Sequence, residues 1–164
     1  MTKETYLIVI DTLGSFIVGT PFEGHVYSVG GCERDRLMGR EIKDIDLVCD
    51  LPNGGIELAK NLEKRGLTKG SVVTYEHFGT AMFHLKIFPD IELEAVQTRS
   101  ECYHNMESRN PDTAFGTIHD DCMRRDFTIN TIYRNVNTGE ILDLTGKGIE
   151  DIKNKILRSP MELI

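Results

Sequence analysis

The run Gly30-Gly31-Cys32-Glu33-Arg34-Asp35-Arg36-Leu37-Met38-Gly39-Arg40-Glu41-Ile42-Lys43-Asp44-Ile45-Asp46-Leu47-Val48 separates two short apolar segments. Upstream, residues 25–29 are predicted to form a strand that stops at the paired glycines. Residues 32–38 supply one or two helical turns, ended by Gly39. Ile45–Cys49 is predicted as a second strand, closed by the breaker cluster Asp50-Leu51-Pro52-Asn53-Gly54-Gly55. Two glycines between a strand and a helix start let a backbone approach a ligand closely, and free N–H groups at a helix N-terminus favour phosphate. A plain turn is the alternative reading of Gly30-Gly31. Asp44 and Asp46 lie two apart, so on a strand they share a face. Two carboxylates placed together repel unless a cation stands between them, and an all-oxygen donor set suits magnesium. A solvated strand end is the alternative.

On both sides of this run the chain alternates helix and strand. Residues 3–17 are predicted to form an amphipathic helix, followed by a loop through Gly19-Thr20-Pro21. Residues 56–65 carry Ile56, Leu58, Ala59 and Leu62 at helical spacing, with Gly66 as the stop. Strands are expected at 71–76, 81–88 and 91–98. The Pro89-Asp90 turn should make the last two antiparallel. Residues 101–116 read as a loop and 117–134 as helical, broken near Asp126. Asn137-Thr138-Gly139 is a hairpin turn into 140–144, and a short helix follows at 149–155. The expected architecture is α+β (α/β): a mixed, largely antiparallel sheet with helices mainly on one side.

Two further groups carry chemistry. In Ile91-Glu92-Leu93-Glu94-Ala95-Val96, alternation places Glu92 and Glu94 on one face. If this strand lies beside Asp44 and Asp46, Glu94 completes a three-carboxylate cluster able to hold two magnesium ions for in-line phosphoryl transfer. An exposed edge strand is the alternative. In Arg124-Arg125-Asp126-Phe127-Thr128-Ile129-Asn130, adjacent arginines on a helix should diverge, one toward a triphosphate and one toward an acid. Asp126 and Asn130, four apart, should share a helical face and reach ribose hydroxyls. A salt-bridged surface helix is the alternative.

The 164 residues amount to one domain. Lys and Arg total 19 and Asp and Glu 26, a net charge of −7. That balance argues against broad nucleic-acid binding by this domain alone. There is no run of about 18 apolar residues to span a membrane, and Thr2-Lys3-Glu4 is not the cationic start of a signal peptide. Cys32, Cys49, Cys102 and Cys122 form no CxxC pair and do not combine with histidines at zinc spacing. Free thiols in a reducing cytoplasm are expected.

Taken together, the Gly30-to-Val48 run, Phe78-Gly79-Thr80, Glu94 through Arg99, Arg124 to Asn130, Asp143-Leu144-Thr145-Gly146 and 148–158 resemble the head domain of class II CCA-adding tRNA nucleotidyltransferases and related poly(A) polymerases. The resemblance spans about residues 25–160. It implies a polymerase-β-like nucleotidyltransferase head preceded by a helix and loop over 1–24, with a neck domain expected to begin at 161–164. By the same resemblance Asp44 and Asp46 bind catalytic magnesium in a two-metal site, and Glu94 positions or activates the attacking 3′-hydroxyl. Gly30, Gly31 and Arg34 face the phosphates of the incoming nucleotide, with Asp35 orienting Arg34. Arg124 or Arg125, together with Asp126 and Asn130, holds triphosphate and sugar. The implied reaction adds CMP or AMP from CTP or ATP to an RNA 3′-hydroxyl, the tRNA CCA end, and releases pyrophosphate. Another RNA or a protein acceptor, or a head retained only to bind nucleotide, are the alternatives. Glu33 stands where the family usually has valine, and Thr131 where it has alanine. The base-selecting motif of the family belongs to the neck, so Asp120-Asp121-Cys122-Met123-Arg124 is not read as that element. Tyr103 could stack on a base, though packing is the commoner role.

Overall fold

The computed structural model describes residues 1–100 and 114–163. Cys102, Tyr103, most of the expected loop over 101–116 and the last residue of the chain lie outside the described residues. Helix α1 (Lys3–Ile17) starts at Thr2, whose hydroxyl accepts from the Thr5 amide. Strand β1 (Val26–Val29) leads into α2 (Gly31–Met38), then β2 (Ile45–Cys49) and α3 (Gly54–Lys64). Strands β3 (Val73–Tyr75), β4 (Thr80–Phe83) and β5 (Leu93–Gln97) follow. The chain then runs through α4 (Ile118–Met123), a 3-10 turn (Thr128–Asn130), β6 (Ile132–Asn135), β7 (Ile141–Asp143) and α5 (Gly148–Asn154).

Among the described residues, seven strands join one sheet in the order β3-β4-β5-β2-β1-β6-β7. Only β2 and β5 run parallel, and every other neighbouring pair is antiparallel, β4 and β5 included. The mixed sheet is therefore as expected. One face is sealed by Tyr6, Val9, Ile10, Leu13 and Ile17 of α1, Cys32 of α2 and Ile56, Leu58, Ala59 and Leu62 of α3. These pack on Val26, Ile45, Leu47, Leu93 and Ala95. α1 thus contributes to the same core as the sheet. The opposite face has a smaller cluster, Val29, Val48 and Tyr133 against Cys122 of α4. It lies at the β2-β1-β6 end; among the described residues, no helix covers the rest of that face.

The expected helical stretch over 117–134 is corrected. α4 stops at Met123, and Ile132–Asn135 is a strand inserted between β1 and β7. Ile132 and Tyr133 are both fully buried, one toward each face of the sheet. A strand covered on both faces has no alternation of apolar and polar residues to betray it. The strands expected at 71–76 and 81–88 are also shorter, ending at Tyr75 and Phe83.

Glu33, the acid in place of valine, is fully buried. Its Oε1 pairs with Arg36 Nε at 3.2 Å and its Oε2 with Arg134 Nε at 3.1 Å. The Tyr6 hydroxyl also donates to Oε2 and lies 2.6 Å from Ser28 Oγ. The charge is accommodated by two arginines, which ties α1, α2 and β6 together. Removing one member of a buried ion cluster leaves the others uncompensated. Glu33→Gln should therefore lower the unfolding free energy by about 3 kcal/mol in urea titration, and unchanged stability would show that the cluster contributes nothing net.

Candidate active site

The site is built where the sheet reverses from antiparallel to parallel. In the parallel β2–β5 pair Asp46 stands directly opposite Glu94. Both point to the open face, because Ile45, Leu47, Leu93 and Ala95 take the other face into the core. Asp44 lies one residue before β2, just outside the strand as the expected span of Ile45–Cys49 has it. It still acts on both partners electrostatically. Desolvation pushes the Asp46 carboxyl above the usual range; Arg125 opposes that and Asp44 reinforces it. Glu94 is pushed up by desolvation, then by Asp46 and Glu92, with Arg99 opposing. Asp44 bears on both Asp46 and Glu94, and Asp46 on Glu94, an acidic field that a cation would relieve.

Gly30 closes one wall. Its φ of 84° and ψ of −135° belong to a region open to glycine and strained for other residues. A Cβ here would stand 3.8 Å from Arg125 Nη1 and 4.0 Å from Asp46 Oδ2. The backbone thus runs close beside both the acid and the arginine. Gly31 begins α2, and Gly30 offers no side-chain cap, so the first N–H groups of the helix lack a capping side chain.

Arg34 is held on two sides. Its Nε donates to Asp35 Oδ1 at 3.1 Å and its Nη1 to Asn130 Oδ1 at 2.9 Å. Asn130 Nδ2 in turn donates to Asp126 Oδ1 at 3.1 Å. Asp126 and Asn130 therefore meet, but through a turn and a 3-10 segment rather than along one α-helix.

The two arginines do not diverge. Both reach the fully buried Asp121: Arg124 Nη2 to Oδ1 at 3.0 Å, and Arg125 Nε and Nη2 to Oδ2, each at 3.1 Å. The reason is their spacing: Arg124 and Arg125 stand three and four residues after Asp121, and both positions neighbour it across one helical turn. Tyr133 donates to Asp121 Oδ2 at 2.6 Å, and Arg125 sits 5.6 Å from the centre of the Tyr133 ring. Burial alone would raise the Asp121 carboxyl. Arg125 and Arg124, aided by the Tyr133 hydroxyl and the Arg99 amide, outweigh it and hold Asp121 below the ordinary range. Sequence reasoning does not single out Asp121 as a functional group; its i, i+3 and i, i+4 spacing to the arginines is the signal available. Nor does it give Arg99 a role, yet Arg99 lines the same cleft.

That cleft, of about 200 Å³, is lined by Val29, Asp46, Val48, Glu94, Val96, Arg99, Arg124 and Arg125 among others. Two carboxylates and three guanidinium groups share its lining, an arrangement for anionic groups bridged by a cation. Residues 26–158 match the poly A polymerase head domain. The chain belongs to that family. This head domain is 32% identical over 144 residues to the mitochondrial CCA tRNA nucleotidyltransferase of Saccharomyces cerevisiae, covering 80% of this chain and 26% of the yeast protein. It is 38% identical over 135 residues to the A-adding tRNA nucleotidyltransferase of Aquifex aeolicus, covering 80% of this chain and 15% of that protein. Among solved structures, the head domain superposes on a CCA-adding enzyme, apo form II, with a TM-score of 0.76 at 33% identity, covering 95% of this chain and 35% of that one. A tRNA nucleotidyltransferase complexed with a primer tRNA and an incoming ATP analogue gives a TM-score of 0.66 at 30% identity, covering 92% of this chain and 38% of that one. The head domain spans less than a third of the length of these two sequence relatives. No described helix is long and apolar enough to cross a membrane.

Proposed function

We propose that this head domain transfers CMP or AMP from CTP or ATP to an RNA 3′-hydroxyl, the CCA end of tRNA, in a magnesium-dependent reaction. The observation that carries this reading is the Asp46–Glu94 register beside the Gly30 backbone and the Asp121-held arginines. The named activities of the relatives support it.

Among the described residues, no trio of His, Cys, Asp or Glu is placed to enclose an ion by itself. The donor set nevertheless fits magnesium, which typically takes one or two carboxylates and completes its shell with water and substrate phosphates. Asp44 and Asp46 would be its protein ligands. Bound there, the metal would lower the pKa of the attacking hydroxyl and neutralise phosphate charge.

The protein residues do the rest. Arg34, Arg124 and Arg125 receive the triphosphate, and the N-terminal amides of α2 add donors without adding bulk. Asp126 and Asn130 face the sugar. Glu94, with its proton affinity raised, accepts the proton of the RNA hydroxyl as the new O3′–Pα bond forms. The bond from Pα to the β-phosphate breaks, and pyrophosphate leaves against the arginines, which stabilise its charge. A reducing, cytoplasmic setting is part of the proposal, supported by the unpaired, buried thiols of Cys32, Cys49 and Cys122.

Two measurements test it. ATP with magnesium should raise the melting temperature, by an amount equivalent to about 2.7 kcal/mol at a hundredfold excess over Kd, and ATP with EDTA should not. A tRNA transcript lacking its CCA end should gain label from radioactive CTP and ATP. Nucleotide binding without transfer to this or other RNA ends would overturn the transferase reading in favour of a nucleotide-binding module.

A further inference from the structure

Two stretches singled out in the sequence, Asp143-Leu144-Thr145-Gly146 and 148–158, have no part in the site described so far. They fold behind it. Asp143 caps α5, accepting from the Gly148 amide at 2.9 Å and from the Ile149 amide at 3.1 Å. About one turn later α5 carries Asp151, which is fully buried. Its Oδ2 accepts from the Thr128 hydroxyl at 2.5 Å and its Oδ1 from Arg158 Nη2 at 3.2 Å. The circuit closes through the backbone, because the Thr128 amide donates to the Arg158 carbonyl at 2.9 Å. Gly148 lets the two segments touch: a Cβ there would stand 2.8 Å from the Thr128 carbonyl oxygen and 2.8 Å from Asp143 Oδ1. Thr131, which replaces the alanine of the family pattern, donates its hydroxyl to that same Thr128 carbonyl at 2.7 Å.

Thr128 opens the 3-10 turn that ends at Asn130. Asn130 accepts from Arg34 Nη1 at 2.9 Å. A Cβ on Gly31 would stand 3.4 Å from Arg34 Nη2, so the guanidinium rests over the first residue of α2, where the helix amides emerge. A turn of three residues has little freedom to absorb a shift, and a displaced Thr128 displaces Asn130. Packing alone does not account for a buried carboxylate behind this turn. An apolar pair of similar size often holds two segments at least as firmly as a buried ion pair. What the carboxylate adds is direction: it gives the Thr128 hydroxyl one acceptor and the turn one seat.

We infer that Asp151, with Arg158 and Thr128, is a positioning clasp for the incoming nucleotide. It sets Asn130, and Asn130 holds Arg34 over the α2 amides in readiness for the triphosphate. An arginine ordered in advance gives up less freedom when the phosphates arrive, so the clasp acts on nucleotide affinity. The inference rests on the nucleotide-binding half of the transferase reading.

The test is the affinity of the full chain for ATP with magnesium, by isothermal titration, at a temperature where circular dichroism shows each variant folded. Thr128→Val deletes the hydroxyl at nearly constant volume and should weaken ATP binding about fivefold. Thr128→Ser keeps the hydroxyl and should bind like the parent. Arg158→Gln, at the partly exposed end of the clasp, should shift the affinity in the same direction, and it decides the matter if Thr128→Val does not fold. Each variant is then combined with Asn130→Ala. A clasp that works through Asn130 has nothing left to position there, so the further loss should be under about twofold. Equal losses with and without Asn130 would assign Asp151 to the fold alone and overturn the inference. Parent-like ATP binding by the folded variants would overturn it too. If the parent itself binds no ATP with magnesium, the transferase reading falls and the clasp falls with it.

Discussion

Asp46→Asn should reduce nucleotidyl transfer by about 10³-fold, the upper end of what losing one preorganised electrostatic stabiliser costs, and it should also make the protein more stable. The two effects have one origin. Asp46 faces Glu94 across the parallel pair; desolvation, reinforced by Asp44 and opposed by Arg125, raises its folded-state affinity for a proton. A carboxyl raised in the fold favours the folded state below its unfolded value of about 3.9, and that contribution is lost as pH rises through the folded value. At neutral pH the ionised carboxylate is therefore a liability to the metal-free fold, and Asn removes it. The melting temperature of Asp46→Asn should exceed that of the parent at pH ~7.5, with the difference narrowing toward pH ~4. Magnesium should shrink the difference too, because only the parent gains a ligand for it. Transfer within about tenfold of the parent would remove Asp46 from the chemistry, and a lowered melting temperature would show that its charge is satisfied without metal.

Asp121→Asn should act in the opposite sense on stability. Asp121 is fully buried, and its two oxygens divide between Arg124 and Arg125 while also accepting from Tyr133. Breaking such a cluster by removing one charge costs about 3–5 kcal/mol, to be read in urea unfolding. Because its carboxyl is held below the ordinary range, the stability it confers is present above the unfolded pKa of about 3.9 and is lost as pH falls through the lower folded value. The parent should therefore lose stability in acid more steeply than Asp121→Asn. Both arginines lose their anchor, so KM for the nucleotide should rise together with a fall in kcat. A variant that lost stability but kept both kinetic constants would confine Asp121 to the fold and leave the arginines positioned by other contacts.

Much of this is legible from residue order. α1 matches the predicted span because it presents one apolar face at the helical period, β2 because an apolar run is closed by the breaker cluster after Cys49, and the Pro89-Asp90 turn correctly implies the antiparallel β4–β5 pair. The β6 strand is not legible. Ile132 and Tyr133 are buried on opposite faces, and continuous burial erases the period that separates strand from helix. The site residues can be picked out as types, but their mutual arrangement cannot. That Glu94 meets Asp46 depends on β5 lying next to β2, which is a choice of topology and not of local pattern. That Arg124 and Arg125 share one acid follows from their positions three and four residues after Asp121. Asp121 stays hidden because an acid three and four residues before a cation looks like any exposed helical ion pair until its burial is known.

The parallel β2–β5 junction bears on how the molecule assembles. β2 and β5 are separated in the chain by α3, β3 and β4, so Asp46 and Glu94 meet only after that whole crossover has closed. Pairings of such sequence separation are slow to form, since loop-closure entropy is spent before contacts repay it. Metal-dependent nucleotide binding should consequently recover late in refolding, after helical circular dichroism, and it can serve as a kinetic reporter of native topology.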